Sequence, residues 1–550
     1  MKERMAPTHG STEEIEGRAY KEYVYSPVAT SASSAVCDFA TPGSQLPDKF
    51  PTNECLVAKN SSATPRIKYP VINMAEKGST LPQYLAAAAA NLCTVASGAM
   101  LGWTSPILPK LQQANPVAPD NPLGAAISID DGSWVGSLVA VGAVVGSFVA
   151  GYLAERWGRK KTLLSSTVPF IIGWALIATA TTLAQILVAR LIFGFAMSFA
   201  FTVVPMYCGE IAETSVRGAL GSFLQLFITV GLLYSYAIGP YVTYLVFWIT
   251  CAALPLVFFA VFMFMPESPY FLLKQGQRED AIAALATLRS KSPGSVQKEA
   301  DELQAAVDEA TQSEATFADL VNVKANFKAL IFTCALVSFQ QLTGINVVLF
   351  YMGKIFEDTG SSIAPELATI IVAVVQIAAS GVTPLVVDRL GRKILLIFSG
   401  VGETLTLAAL GLYFYLKDVE QSDVSAIGWL PVVSLVIFIA TYCVGWGPLP
   451  WTVMGEMFSG SVKSKASGIT VCTCWGLAFL ITKFASNLQE AFGNCTLFWM
   501  FGGCCIASVA FTIILLPETK GKSLQEIQAE LNGHKHSLPQ FSGDENIIKS

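Results

Sequence analysis

The 550-residue chain is short of charge. Asp, Glu, Lys and Arg supply only 14% of its residues, against 53% hydrophobic ones, too apolar a balance for an ordinary soluble surface. The net charge is a modest −5, so no basic face exists for a phosphate backbone and nucleic acid is excluded as a partner. Histidine is scarcer still, with 3 in the whole chain, which denies a metal site one of its usual ligands. The 12 cysteines form no framework: Cys93, Cys251, Cys334, Cys443, Cys504 and Cys505 sit inside apolar runs. Cys472 and Cys474, two apart, cannot share one face of a helix. The cysteines read as small core packers. Outside the apolar runs there is no nucleophile elbow and no phosphate-binding glycine loop. An enzyme is therefore not expected, nor any catalytic residue, metal or cofactor. From Met1 to about Thr80 the chain is polar and mixed in charge, without the apolar core of a signal peptide, and reads as a disordered tail.

What the chain does have is apolar runs of about twenty residues, enough to cross a bilayer as helices. They fall at Tyr84–Trp103, Trp134–Leu153, Thr162–Ala180, Gln185–Met206, Ala219–Tyr236 and Tyr244–Met265, then at Ala329–Phe350, Leu367–Val387, Ile394–Leu416, Ile427–Val453, Ala466–Phe484 and Thr496–Leu516. Between the two sets lies a polar stretch with helix-like patterns in Glu279–Arg289 and Val296–Glu309. The expected fold is an all-α membrane protein with twelve transmembrane helices in two pseudo-symmetric six-helix halves, 81–265 and 327–516. A linker, 266–326, joins them, and tails occupy 1–80 and 517–550.

Lys and Arg set the orientation. One set of short loops carries Arg156, Arg159, Lys160, Lys161, Arg217, Arg389, Arg392, Lys393, Lys463 and Lys465, and the opposite set only Lys110, Lys354 and Lys417. Both termini and the linker are thus expected in the cytosol, with the cell membrane as the site. Asn60-Ser61-Ser62 then lies on the wrong side for glycosylation, and Asn494-Cys495-Thr496 lies close to the bilayer.

The halves repeat a motif. Glu155-Arg156-Trp157-Gly158-Arg159-Lys160 ends the second run and Asp388-Arg389-Leu390-Gly391-Arg392-Lys393 the eighth. Positive-inside loops account for the basic residues but not for the same acid, glycine and spacing twice. Two matching halves around a midplane site are the architecture of alternating-access carriers.

Further motifs follow in order: Pro205-Met206-Tyr207-Cys208-Gly209-Glu210-Ile211-Ala212 with Arg217-Gly218, Pro266-Glu267-Ser268-Pro269, Gln340-Gln341-Leu342-Thr343-Gly344-Ile345-Asn346, Gly447-Pro448-Leu449-Pro450-Trp451, and Pro517-Glu518-Thr519-Lys520-Gly521. With them, from about Pro82 to Leu531, the chain resembles the sugar-porter family of the major facilitator superfamily. Within it, the chain looks most like insect facilitated trehalose transporters and their glucose-transporting relatives. The resemblance implies uniport of a small sugar, a disaccharide or hexose, by a carrier that works in the lipid bilayer as a monomer.

The residues fit such a cargo. Sugar hydroxyls must exchange water for protein hydrogen bonds, and an amide both donates and accepts. Gln225, Gln340, Gln341, Asn346 and Gln376 all lie inside apolar runs, where an unpaired amide is costly. Helix–helix bonding explains Gln376 alone equally well. Gln340, Gln341 and Asn346 together, on one helix, point to a polar cavity. Gly447, Pro448 and Pro450 break the helix before Trp451, which is tolerated at membrane depth where backbone lines a cavity or is buried in protein. The resemblance puts all five amides on sugar-contacting positions, with Trp451 beneath the sugar and Trp475 as a weaker second platform. Cys474 stands where the family often has Asn. The resemblance also implies a cytosolic gate of Arg159, Glu210 and Arg217 in the first half and Arg392, Glu456 and Lys463 in the second. Lys463 replaces a common Arg and loses its planar fork. Exposed pairs of this kind contribute only about 0–1 kcal/mol each, suiting a lock that opens every cycle.

Two rival readings remain. A proton symporter of this fold is expected to have an acid in helix 1 facing an Arg in helix 4. Arg190 is present, but the helix-1 position is Thr104, and Tyr84–Trp103 contains no Asp or Glu. Intramembrane carboxylates are the usual proton carriers, which leaves Glu403, in the ninth run, as a structural partner or a proton site. A non-transporting sugar sensor would need neither the complete gate nor the Gly-Pro-Leu-Pro break.

Overall fold

The computed structural model describes residues 78–532 apart from 115, 117, 214, 313–316, 360–363, 459 and 523. The tail expected before residue 78, the Asn60 sequon and the end of the C-terminal tail lie outside the described residues. Among the described residues, eleven helical segments are long and apolar enough to cross a membrane: Leu81–Gln112, Ile129–Trp157, Arg159–Ala178, Leu183–Ile211, Arg217–Ile238, Tyr244–Phe262, Lys324–Glu357, Pro365–Val387, Arg392–Val419, Ser425–Met457 and Lys465–Ile514. The last belongs to a helical stretch of 55 residues, Gly460–Ile514. At 1.5 Å per residue that is about 80 Å, far beyond a hydrocarbon core of about 30 Å. Gly493, at φ 81°, turns it back on itself. Thr333 and Phe332, adjacent on the seventh span, meet Thr470 on one arm and Phe511 on the other, as a hairpin requires. The chain therefore has twelve spans in the order the apolar runs predict, numbered here 1 to 12.

Small residues let the spans approach closely, the usual device where lipid supplies no hydrophobic drive between helices. A Cβ at Gly142 would lie 1.9 Å from the Leu191 carbonyl oxygen, and one at Gly194 1.8 Å from that of Val139, so spans 2 and 4 touch backbone to backbone. Large apolar side chains such as Phe148, Leu385 and Phe398 point outward, a face matched to lipid rather than water.

Spans 3 and 5 are interrupted at Ser166 and Ser222, and three further spans are broken nearer the site. Span 1 pauses at Trp103, ahead of Pro106 and Pro109. Span 7 divides into Lys324–Leu342 and Ile345–Thr359, so Gln340, Gln341 and Asn346 do not share one continuous helix as the sequence reading assumed. Gly344, at φ 81°, makes the turn, and a Cβ there would come 2.5 Å from the Phe501 ring. Span 10 divides between Val444 and Leu449, across Gly445, Gly447 and Pro448.

Alternation of twelve spans gathers both ends of the described chain on one side, called here the terminal side. There the linker forms helices Pro269–Lys274, Arg278–Arg289, Gln297–Gln312 and Phe317–Asn322, of which the sequence patterns anticipated the middle two. Buried Arg289 ties the linker down, donating to Glu299 at 2.7 Å and to the Ile211 carbonyl at the end of span 4 at 2.8 Å. A last helix, Leu524–Asn532, is fixed beneath the second half: Lys328 Nζ donates to the Leu531 carbonyl at 2.9 Å and Gln528 Nε2 to the Met457 carbonyl at 2.7 Å.

Candidate functional site

The two helix breaks face each other, and amides fill the space between them. Pro450 has no N–H, so the Trp446 carbonyl four residues earlier loses its helical donor. Gln340 replaces that donor: its Nε2 lies 2.8 Å from the Trp446 carbonyl and 2.8 Å from that of Gly447. Gln341 Nε2 donates to Cys474 Sγ at 3.1 Å, and Asn346 Nδ2 donates to Gln341 Oε1 at 2.5 Å. Cys474 Sγ in turn lies 3.9 Å from Gln340 Oε1. Span 7, the span-10 break and span 11 are thus joined in one hydrogen-bonded chain.

Several polar atoms around this chain are uncommitted. Gln376 Oε1 and Trp475 Nε1 are buried with no hydrogen-bond partner among the described residues. The Trp475 ring meets Phe201 of span 4 edge-on at 5.3 Å, an aromatic contact between the halves. Trp451 and Gln225 are half-buried and make no hydrogen bond to the amide chain. Of the expected platform, then, Gln340, Gln341 and Asn346 come together, Trp475 adjoins them through Cys474, and Gln376, Trp451 and Gln225 stand apart from that network. Sequence reasoning missed Phe201 and the use of Cys474 as an acceptor. It also missed the backbone duty of Gln340, although Pro450 signals an orphaned carbonyl.

At the terminal side the expected gate residues form two matching clusters. In the first half Gly158, at φ 93°, leaves no room for a Cβ against Glu267 and turns Arg159 under the end of span 4. Arg159 Nη2 meets Glu210 Oε1 at 2.7 Å, and Ser268 Oγ donates to the other Glu210 oxygen. Glu267 accepts the backbone N–H groups of Arg159 and Lys160, each at 3.0 Å. In the second half Gly391, at φ 89°, plays the same part. Arg392 Nη2 meets Glu456 Oε1 at 2.7 Å, Thr519 Oγ1 donates to Glu456 at 2.6 Å, and Glu518 accepts the N–H groups of Arg392 and Lys393 at 3.1 and 3.0 Å. Burial pulls the Glu518 carboxyl up, but the backbone donors of Lys520, Lys393 and Arg392 outweigh it and hold the group below the usual carboxylate range.

These pairs are less exposed than the sequence reading assumed, with Arg159 at 2% and Glu210 at 15%, and each cluster stays inside one half. Arg217 and Lys463 form no ion pair with them, although Lys463 feels the charges of Glu456 in its own half and of Arg217 in the other. Arg217 is exposed, and Lys463 Nζ donates to the Gly455 carbonyl at 2.9 Å.

Arg190 is fully buried on span 4. Its guanidinium donates to the carbonyls of Val135 at 2.8 Å and Met100 at 3.0 Å, and to Thr104 Oγ1 at 2.9 Å. It lies over the Trp103 ring at 5.7 Å. No carboxylate pairs with it among the described residues.

This architecture agrees with what is known of related chains. Residues 90–531 match the model of the family described as "Sugar (and other) transporter". A facilitated trehalose transporter Tret1 of Culex quinquefasciatus is 37% identical over 456 residues, covering 82% of this chain and 86% of that one. The Tret1 of Aedes aegypti is 37% identical over 453 residues, but this chain spans only 55% of its length. Among solved structures, the proton:xylose symporter XylE bound to 6-bromo-6-deoxy-D-glucose superposes with a TM-score of 0.68 at 24% identity, over 82% of this chain and 99% of that one, a likeness of fold. With a family match running from the first span to the last helix, on twelve spans in two repeated halves, the chain belongs to the sugar transporter family.

Proposed function

We propose that the protein is a facilitative carrier of a small sugar, trehalose or glucose, working by alternating access and without a coupling ion. The observation that carries the uniport reading is the neutral pocket of Arg190. Its acceptors are two backbone carbonyls, the Met100 sulfur and the Thr104 hydroxyl, none of which takes up or releases a proton near neutral pH. The sugar reading is supported by the amide chain at the two helix breaks, whose donors and acceptors match the hydroxyls of a polyol, and by the trehalose transport named for the Culex and Aedes relatives. The halves, 81–265 and 327–516, act as the two rocking units, with 266–326 as a cytosolic linker, both termini in the cytosol, the cell membrane as the site and a monomer as the working unit. The bonds that join described residues of the two halves, Lys483 to Asp130 and Ser133, Tyr236 to Leu349 and Gly353 to Ser105, lie at the end away from the termini and support a state that faces the cytosol.

The test is uptake by the full chain in liposomes. Labelled trehalose or glucose should equilibrate and stop at equal concentrations inside and out, at a rate unaffected by collapsing a proton gradient. Replacing Trp451 by Ala should remove most of that uptake. Accumulation above equality, or sugar-induced alkalinisation of the medium, would overturn uniport.

A further inference from the structure

Glu403 is the titratable group that the proposed mechanism does not use. It lies in span 9 with no exposed surface, far from water, where an unpaired carboxylate is expensive. The groups that face it are Ser399 on its own helix, Tyr442 and Cys443 on span 10 and Cys505 on span 12, whose Sγ is 3.7 Å from Oε2. None of them is a cation, and Glu403 has no ion pair among the described residues.

The hydrogen atoms around Ser399 decide its state. The Ser399 hydroxyl has three polar neighbours: the Trp446 N–H at 3.1 Å, the Thr441 carbonyl at 2.8 Å and Glu403 Oε1 at 2.8 Å. It carries one hydrogen, and a carbonyl only accepts. Were Glu403 ionised, that hydrogen could serve either the carbonyl or the carboxylate, leaving one pair of oxygens 2.8 Å apart with nothing between them. As a neutral acid Glu403 donates to Ser399, Ser399 donates to Thr441 and accepts from Trp446, and every contact is satisfied.

The backbone that Ser399 holds is the break of span 10. On the other side of that break Gln340 donates to the Trp446 and Gly447 carbonyls. A line of hydrogen bonds therefore runs from Glu403 through Ser399 to the Trp446 peptide, and on to Gln340, Cys474, Gln341 and Asn346. We propose that Glu403 is a permanently neutral positioning residue: as a hydrogen-bond donor it fixes the break of span 10 and, through it, the amide of Gln340 toward the sugar. The inference rests on the assignment of Gln340 to the sugar site.

The test is initial sugar uptake by the reconstituted full chain, from pH 5.5 to 7.5, for the wild type, Glu403→Gln, Glu403→Met, Ser399→Ala, Gln340→Leu and the Glu403→Met/Gln340→Leu pair. An amide can donate to Ser399 as the acid does, so Glu403→Gln should keep the wild-type KM within about twofold and the same flat pH profile. Methionine matches the length but cannot donate. It should raise KM by about 3- to 10-fold, the range of one hydrogen bond, with maximal rate per reconstituted carrier little changed. The paired variant should be no worse than Gln340→Leu alone, because both act on the same contact. If Glu403→Met does not fold, Ser399→Ala breaks the same line and should raise KM in the same way. Loss of transport or of a pH dependence in Glu403→Gln would make Glu403 a proton carrier and overturn the proposal. An unchanged KM in Glu403→Met or Ser399→Ala, or additive effects in the pair, would overturn it alone. A wild type without saturable sugar uptake would instead overturn the sugar reading, and this proposal with it.

Discussion

The two ends of the molecule are built on opposite plans. At the end away from the termini, the halves hold each other. Lys483 of span 11 reaches Asp130 at 2.5 Å and Ser133 at 2.7 Å on span 2 and lies 4.6 Å over the Trp134 ring. Beside it Tyr236 donates to the Leu349 carbonyl at 2.7 Å, and the Gly353 N–H donates to Ser105 at 3.3 Å. At the terminal end, the charges hold each half to itself. Arg159 with Glu210 and Arg392 with Glu456 bind helices that belong to one bundle. The difference explains how a carrier can be rigid and still move. On the proposed mechanism, buried ion pairs keep each half intact as a body, while the bonds that break in every cycle are those at its rim.

Cross-linking tests the contrast most severely. Cysteines at Asp130 and Lys483, joined by a short bifunctional thiosulfonate, should abolish transport until the link is reduced. Cysteines at Glu155 and Lys274, which also form an ion pair but within one half and its linker, should be linked with transport largely preserved. Loss of transport in both, or in neither, would erase the distinction between the two ends.

Removing one partner of a buried pair should cost stability rather than choose a state. Arg159→Ala leaves Glu210 buried without its cation and should lower the stability of the purified protein by about 3–5 kcal/mol. Arg392→Ala should cost less, about 1–3 kcal/mol, because Arg392 is 13% exposed and Glu456 27%, so water screens the loss. Thermal unfolding in detergent reads both. Equal costs would mean that burial does not distinguish the halves.

Lys483→Met should act on the rim alone. The bodies stay intact, but the closed end loses its charged contacts, and backbone amides in 129–140 and 478–489 should exchange hydrogen faster, by about tenfold for a loss near 1.4 kcal/mol. Unchanged exchange there would mean that the apolar contacts, such as Trp134 on Phe479, close this end without the ion pair.

Much of this was legible in the sequence because the bilayer enforces it. A lipid environment demands apolar runs of fixed length, and twelve appeared in the right order. The repeated Gly-Arg-Lys corner announced two similar halves. Lys483 was not legible, since a lysine near the end of an apolar run reads as a side chain reaching for water, and its partner lies 353 residues away in the chain. The placement of the charge clusters was equally hidden. The sequence shows opposite charges at helix ends, but only the positive φ of Gly158 and Gly391 decides that each arginine turns inward to its own half. At the amide site, residue types were readable and partners were not: the Gln340 bond to the Trp446 carbonyl follows from Pro450 only once spans 7 and 10 are known to touch.

The smallest effect expected is that of pH, and it sharpens the comparison because neither end should respond. The 3 histidines are His9, His534 and His536, so none lies among the described residues, and no described side chain at either end or between them has an ordinary pKa near 6.5. Glu518 is held below the usual carboxylate range by the backbone donors of Lys520, Lys393 and Arg392. The sign follows from linkage: a depressed carboxyl contributes stability that is complete above its unfolded value of about 4.3 and is lost only as pH falls through its lower folded value. Between pH 5.5 and 7.5 Glu518 therefore stays charged and keeps accepting from the backbone of Arg392 and Lys393. Arg190, with neutral acceptors, has no proton to exchange with a neighbour. Initial sugar uptake should then vary by less than about twofold across that range, and Glu518→Gln should lower stability without making uptake pH-dependent. A steep rise of wild-type uptake toward pH 5.5 would show that a carboxyl between the two ends gains a proton during the cycle, and would reverse the uniport assignment.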